Sequence, residues 1–176
     1  MTDDYFDWDD RPVLERVTAR MLLEYAGFQI NGFASRDDDP PDCEGILNGK
    51  RAAIEVTRLN HEKARALNMK ARKEKKLEHE VFFSWERDDL LLKIQKLIDK
   101  KDRDVKRYSG CPYERYVLVM HTDEFVLTSD VVSEWLKHTT FKGRFLTDVI
   151  VGLSHEPKIG GYPTFRLSLS PPCIAP

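Results

Sequence analysis

The sequence predicts a single α/β domain with a mixed central sheet flanked by helices. Asn48-Gly49 stands between two strand-like segments and predicts a hairpin, because a type I′ turn needs positive φ at both central residues. The apolar run Arg115–His121 predicts a buried central strand. Apolar residues recur at helical spacing before and after the hairpin. A chain of 176 residues is long enough for one domain with a sizeable core.

A helix and a strand precede the hairpin. The apolar positions between Val13 and Tyr25 recur with helical period and predict a helix over Pro12–Tyr25. Ala26-Gly27 supplies the stop signal after it. Alternation of apolar and polar residues predicts the first strand over Phe28–Ala34. The hairpin then contributes strands 2 and 3.

The register of the hairpin places two acids together. Counting outward from a loop at Asn48-Gly49, Asp42 stands opposite Glu55, and directly opposed residues share a face of the sheet. Two like charges in these positions repel, so a divalent cation, a basic neighbour or a raised pKa on one acid has to offset the repulsion. We favour a hard cation that bridges the carboxylates. The alternative is that the strands splay and both acids are solvated.

The segment after strand 3 is highly charged. Asn60–Glu80 is rich in Lys, Arg and Glu and predicts a helical insertion over about residues 60–85. A second long helix follows over about Trp85–Arg107, with basic residues on its outer side. A basic face can hold a nucleic-acid backbone, although for either charged segment taken alone a solvated helix with internal ion pairs is the favoured interpretation. The candidate nucleic-acid-binding residues are Lys63, Lys70, Lys93, Lys96 and Lys100.

A C-terminal extension of about residues 123–176 follows the central strand, so the core covers about residues 10–122. Ser129 is a candidate cap for a helix over about Asp130–His138. Leu146–Leu153 and Thr164–Leu169 predict two further strands at the periphery of the fold.

The amino-acid composition bears on binding to nucleic acid, on the cellular compartment and on association with membranes. Lys and Arg total 28 against 30 Asp and Glu, so any attraction to nucleic acid must come from a local basic side. The three cysteines have no zinc-site or disulfide spacing, which predicts a reducing, cytoplasmic compartment. No apolar run is long enough to span a bilayer, so we expect no membrane partner.

The order of elements resembles a known family. Helix, three strands, insertion, helix and buried strand resemble the restriction-endonuclease-like, PD-(D/E)XK nuclease fold, whose core is αβββαβ. Pro41-Asp42 matches the PD half of its motif, and Glu55-Val56-Thr57 stands where the family has (D/E)-X-K. The chain also resembles uncharacterised bacterial members with an IEVT-type motif strand. The resemblance covers about residues 10–121.

The resemblance implies a metal-dependent nuclease that hydrolyses phosphodiester bonds. Glu15 resembles the first-helix glutamate of archaeal Holliday-junction resolvases. If the roles of the family's motif residues apply at the matching positions, the catalytic ligands of Mg²⁺ or Mn²⁺ are Glu15, Asp42 and Glu55. The resemblance implies the Val56 carbonyl as a further ligand. The resemblance implies nucleic acid as the partner, and it favours DNA over RNA. It leaves open whether the protein forms a homodimer.

The chain departs from the family at one position. The motif lysine is Thr57, which can hydrogen-bond a water molecule but cannot supply positive charge. We expect another base to fill the role, with Lys50, Lys63, Lys70 and Lys93 as candidates. Without one, the alternative is a catalytically silent nuclease-fold module that binds nucleic acid or a protein partner.

For several other polar and aromatic residues, we favour a structural role over a functional one. His61 follows strand 3 and is expected at a helix start, with metal ligand or general base as the alternatives. Phe82, Phe83 and Trp85 are expected in the core, with stacking on nucleic-acid bases as the alternative.

Overall fold

Four helices and eight strands make up the part of the chain that the computed structural model describes, residues 11–36, 40–74, 83–108 and 113–170. The elements are α1 Arg11–Tyr25, β1 Ile30–Ser35, β2 Cys43–Leu47, β3 Lys50–Arg58, α2 Glu62–Lys73, α3 Arg87–Tyr108, β4 Arg115–His121, α4 Ser129–Leu136, β5 Thr140–Lys142, β6 Asp148–Gly152, β7 Thr164–Arg166 and β8 Ser168–Ser170. The segment of the predicted insertion after residue 74, including Phe82, lies outside the described residues.

Six strands form a mixed sheet in the order β1-β2-β3-β4-β6-β7. Strands β3, β4 and β6 are parallel neighbours, and β1, β2 and β7 add antiparallel edges. The prediction of an α/β class with a mixed sheet is therefore confirmed. The prediction that the C-terminal strands are peripheral is wrong for β6, because β6 is buried inside the sheet between β4 and β7.

Helices cover both faces of the sheet. Along β4, Val117 and Val119 belong to the apolar cluster that includes α1, whereas Leu118 and Met120 belong to the cluster built around α3 and α4. This division follows from the two-residue period of a strand, which sends alternate side chains to opposite faces. Each fully buried aliphatic side chain contributes about 1.5–3 kcal/mol to folding.

The predicted hairpin is present in the predicted register. Strand β2 pairs with β3 from Cys43–Ile54 to Leu47–Lys50. The turn residues Asn48 and Gly49 have φ of 49° and 79°. The two-residue loop thus fixes which side chains of β2 and β3 share a face.

The C-terminal elements differ from the predictions. The predicted strand Thr164–Leu169 is two strands, because β7 pairs with β6 while β8 leaves the main sheet to pair with β5. Ser129 is not the cap of α4: the helix begins at Ser129 and Thr128 holds the cap position. The backbone N–H of Ser129 is bonded instead to Glu156 Oε2 at 2.9 Å, so a distant loop satisfies it.

None of the described helices is both long enough and apolar enough to cross a bilayer.

The hairpin turn gives a stability prediction. We expect Gly49→Ala to destabilise the protein by about 1–2 kcal/mol, because an L-residue is strained in the left-handed region. A Cβ at Gly49 meets no atom within 4 Å, so the loss would come from the backbone alone. Urea unfolding measures it, with Asn48→Gly as a control that tolerates positive φ. Equal stability of Gly49→Ala and wild type would contradict this account of the turn.

Candidate active site

The candidate site lies where β2 and β3 meet α3. The last ladder pair of the hairpin is Cys43 with Ile54, so Asp42 and Glu55 occupy the next position outward. The Oδ2 atom of Asp42 accepts a hydrogen bond from the backbone N–H of Val56 at 2.7 Å. This bond anchors the Asp42 carboxylate to β3 beside Glu55.

Glu55 is an acid in the interior of the sheet, and only 1% of its surface is exposed. Its neighbours Ile54 and Val56 pack in the α1 cluster, so strand geometry turns Glu55 toward the α3 face. Burial of a lone carboxylate is strongly unfavourable, and such groups require a charged or hydrogen-bonded partner.

Lys101 of α3 supplies the positive charge. Its Nζ forms an ion pair with Glu55 Oε2, and its side chain is 17% exposed. Burial by itself lowers the pKa of Lys101. The charge and hydrogen bond of Glu55, together with the charges of Asp42 and Asp104, outweigh burial and raise the pKa above its usual 10.5. Lys101 is therefore held as a cation beside both acids of the hairpin.

Lys101 was not among the predicted site residues, although its position on α3 carries a signal. Ile94, Ile98 and Val105 are buried at helical spacing, and Lys101 falls where the next buried residue of that stripe would stand. A lysine within an apolar stripe points toward the core. The four lysines proposed as substitutes lie elsewhere: Lys50, Lys63 and Lys70 are exposed, and Lys93 pairs with a residue of α2.

The residue next to Lys101 holds α3 in place. The Asp102 carboxylate accepts hydrogen bonds from three consecutive backbone N–H groups, those of Arg144, Phe145 and Leu146, at 3.0, 2.7 and 2.9 Å. These residues lead into β6. The helical turn that carries Lys101 is therefore fastened to the sheet on its other side.

Thr57 and Val56 occupy the remaining motif positions. Thr57 is half-buried and lies two residues after Glu55, on the same face of β3. Val56 directs its side chain into the α1 cluster, and its N–H binds Asp42. A catalytic role for Thr57 and a ligand role for the Val56 carbonyl stay predictions.

Glu15 comes from the other layer of the fold. It lies on α1, and its charge acts on Cys43, whose pKa is raised to about 12 by burial first and by the charges of Asp42 and Glu15 next. The charge of Glu55, which faces α3, acts on Cys43 as well. Within the described ranges, no group of three or more His, Cys, Asp or Glu side chains is arranged to hold a metal ion. The metal-ligand roles of Glu15, Asp42 and Glu55 stay predictions.

Some of the predicted nucleic-acid-binding lysines share one cavity. Lys63, Lys93 and Lys96 line a cavity of about 120 Å³ between the start of α2 and α3. Lys70 and Lys100 are exposed on the same two helices and are not among its lining residues.

The structural interpretation of His61 and Trp85 is confirmed. His61 directly precedes α2, and its Nδ1 accepts a long hydrogen bond from Ala64 N–H at 3.5 Å. Trp85 belongs to the α3 cluster, and its Nε1 donates to the buried carboxylate of Glu124. Glu124 also accepts from His61 N–H at 2.7 Å. The three residues join the end of β4 to the starts of α2 and α3.

A second polar cluster, which the sequence analysis missed, lies on the same hairpin face. Glu44 is opposite Ala53, two residues from Glu55. Glu44 Oε2 accepts hydrogen bonds from Tyr113 at 2.6 Å and from Arg36 and Arg51 at 3.3 Å each. The Tyr113 hydrogen bond, followed by the arginines, lowers the pKa of Glu44 against the effect of burial. Two arginines thus stand beside the candidate site.

Comparisons with known proteins add no family. No protein-family model, no curated protein and no solved structure matches the chain. The resemblance to PD-(D/E)XK nucleases therefore rests on the short motifs and on the order of elements.

The buried ion pair gives a prediction about stability. We expect Lys101→Met to destabilise the protein by about 3–5 kcal/mol, because it leaves the Glu55 carboxylate buried without its cation. The double variant Glu55→Gln/Lys101→Met should recover much of this loss. The free energies of unfolding of wild type, both single variants and the double variant form a double-mutant cycle that measures the coupling between Glu55 and Lys101. Lys100 is exposed on the same helix, so Lys100→Met is the control. Additive effects of the two substitutions would show that the pair is not coupled.

The raised pKa of Lys101 predicts how stability depends on pH. The folded protein binds this proton more tightly than the unfolded chain does, so the stabilisation is fully present below pH 10.5 and is lost as pH rises through the raised pKa. The free energy of unfolding of wild type and Lys101→Met, measured on both sides of pH 10.5, isolates this contribution. A difference between the two proteins that does not shrink at high pH would contradict it.

Proposed function

We propose that this protein is a metal-dependent nuclease of the restriction-endonuclease-like fold that hydrolyses phosphodiester bonds. The observation that carries the proposal is the ion pair of Lys101 with Glu55 beside Asp42. It supplies, from α3, the positive charge that Thr57 cannot supply from the motif strand. The order α1, β1–β3, α3, β4 supports the fold assignment, since it is the αβββαβ order of that family.

The residues of the site fit a hard divalent cation. Asp42 and Glu55 present carboxylate oxygens, the ligands that Mg²⁺ and Mn²⁺ prefer. One positive charge, the ammonium group of Lys101, already lies beside Glu55 and close enough to Asp42 to feel its charge. Asp42 and Glu55 would hold the ion. When bound, it would acidify a water molecule and shield the charge of the phosphate.

Each protein group then has a defined task. Lys101 keeps its proton and offers a hydrogen bond to an oxygen of the phosphate, where negative charge increases during the reaction. The hydrogen bond from Val56 N–H keeps Asp42 beside Glu55 while the substrate binds. The Thr57 hydroxyl, on the same face, can orient a water molecule. Exposed lysines of α2 and α3 contact the nucleic-acid backbone without reading its sequence.

The silent-module alternative has its own observation. Glu55 is 1% exposed and already paired with a cation, which is also what a purely structural buried ion pair looks like. Such a module would keep nucleic-acid binding and lack hydrolysis. Activity measurements separate the two proposals.

The nuclease proposal predicts a specific loss of activity. We expect wild type with Mg²⁺ or Mn²⁺ to cleave labelled DNA, and Lys101→Gln to lower kcat by about 10²–10³-fold, the effect of losing one charge-stabilising donor. Lys101→Arg should keep part of the activity because it keeps the charge. The exposed Lys158→Gln is the control, and circular dichroism verifies that each variant folds.

Binding of Mn²⁺ distinguishes the nuclease from the silent module. In the nuclease, Mn²⁺ should raise the Tm of wild type more than that of Asp42→Asn, because binding to the folded state stabilises it. Absence of cleavage of single- and double-stranded DNA and RNA, together with equal Mn²⁺ shifts in both proteins, would reject the nuclease and leave the silent module.

A further inference from the structure

The cavity between the start of α2 and the N-terminal half of α3 lies outside the candidate catalytic group. We infer that it is a pocket for one phosphate group of a nucleic-acid strand. This inference rests on the proposed nucleic-acid function and adds a defined place for the substrate. His61 and Trp85, 6% and 8% exposed, are the buried residues among its lining.

The charges around the cavity favour an anion. Lys63, Lys93 and Lys96 contribute three positive charges, while Glu62 and Asp89 contribute two negative ones. Glu62 binds Lys93 at 3.0 Å. Its pKa is lowered by the hydrogen bond and charge of Lys93 first, and by the charge of Lys96 next. One carboxylate thus already attracts two of the lysines, at the place where a phosphate oxygen would bind.

The cavity is small. Its volume of about 120 Å³ lies below the roughly 300–1,000 Å³ that is usual for sites of drug-sized ligands, so it suits a small group such as one phosphate.

The distance to Lys101 fits a strand that contacts both places. Lys96 and Lys93 precede Lys101 by five and eight residues on α3, about 7.5 and 12 Å along the helix axis. The pocket and Lys101 therefore lie within about two turns of the same helix, so one strand can contact both places.

Glu62 makes the inference sharply testable, because two substitutions should act in opposite directions. Without competition from its carboxylate, Glu62→Gln should bind single-stranded DNA more tightly, and Lys96→Gln should bind it more weakly, each by roughly three- to tenfold. Lys137 and Glu134 form a comparable exposed pair on α4, with N and O 4.0 Å apart. Lys137→Gln and Glu134→Gln are therefore the matched controls and should leave binding nearly unchanged.

The experiment measures fluorescence anisotropy of labelled single strands, with and without a terminal phosphate, in EDTA. A preference for the phosphorylated strand that Lys96→Gln abolishes assigns the pocket to a strand end. Equal weakening on both strands assigns it to a backbone phosphate. Inorganic phosphate, at ionic strength matched with chloride, should shift the NMR signal of the Trp85 indole N–H, identified with Trp85→Phe.

Three results would overturn the inference: changes no larger than those of the controls, changes of equal sign for Glu62→Gln and Lys96→Gln, or no Trp85 shift with phosphate. Because EDTA prevents cleavage, this test is independent of nuclease activity. Binding that follows the prediction, in a protein that cleaves nothing and shows equal Mn²⁺ shifts in wild type and Asp42→Asn, would reject the nuclease and keep the pocket.

Discussion

The arrangement of the site depends on one interaction, the buried ion pair between Glu55 and Lys101. A carboxylate on a central strand cannot be left without compensation in a medium of low dielectric constant. The rotation of α3 that buries Ile94, Ile98 and Val105 also turns Lys101 toward the sheet. Apolar packing and charge compensation therefore require the same orientation of the helix.

The hairpin face shows how several acids can share a small area. Asp42, Glu44 and Glu55 all belong to it, and each has a different main compensating group. Asp42 accepts a backbone N–H, Glu44 meets a tyrosine and two arginines, and Glu55 meets a lysine from another layer. The described contacts of the three carboxylates therefore come from different elements of the fold.

The sequence predicts local geometry well and contacts between layers poorly. Asn48-Gly49 determined the register of β2 and β3 because turn chemistry is local, and the apolar run gave the bounds of β4. The apolar stripe of α3 indicates that Lys101 points toward the core, but pairing it with Glu55 required the position of α3 against the sheet, which depends on contacts between layers. The break between β7 and β8 was missed for the same reason, since it depends on pairing with the short strand β5.

The three hydrogen bonds to Asp102 have a consequence for how the sequence can vary. They fix α3 at the turn that carries Lys101, independently of the residues on its outer side. The outer lysines can therefore change in number and position without displacing the lysine that meets Glu55. The outer surface of α3 and the buried ion pair can therefore vary independently, although both belong to one helix.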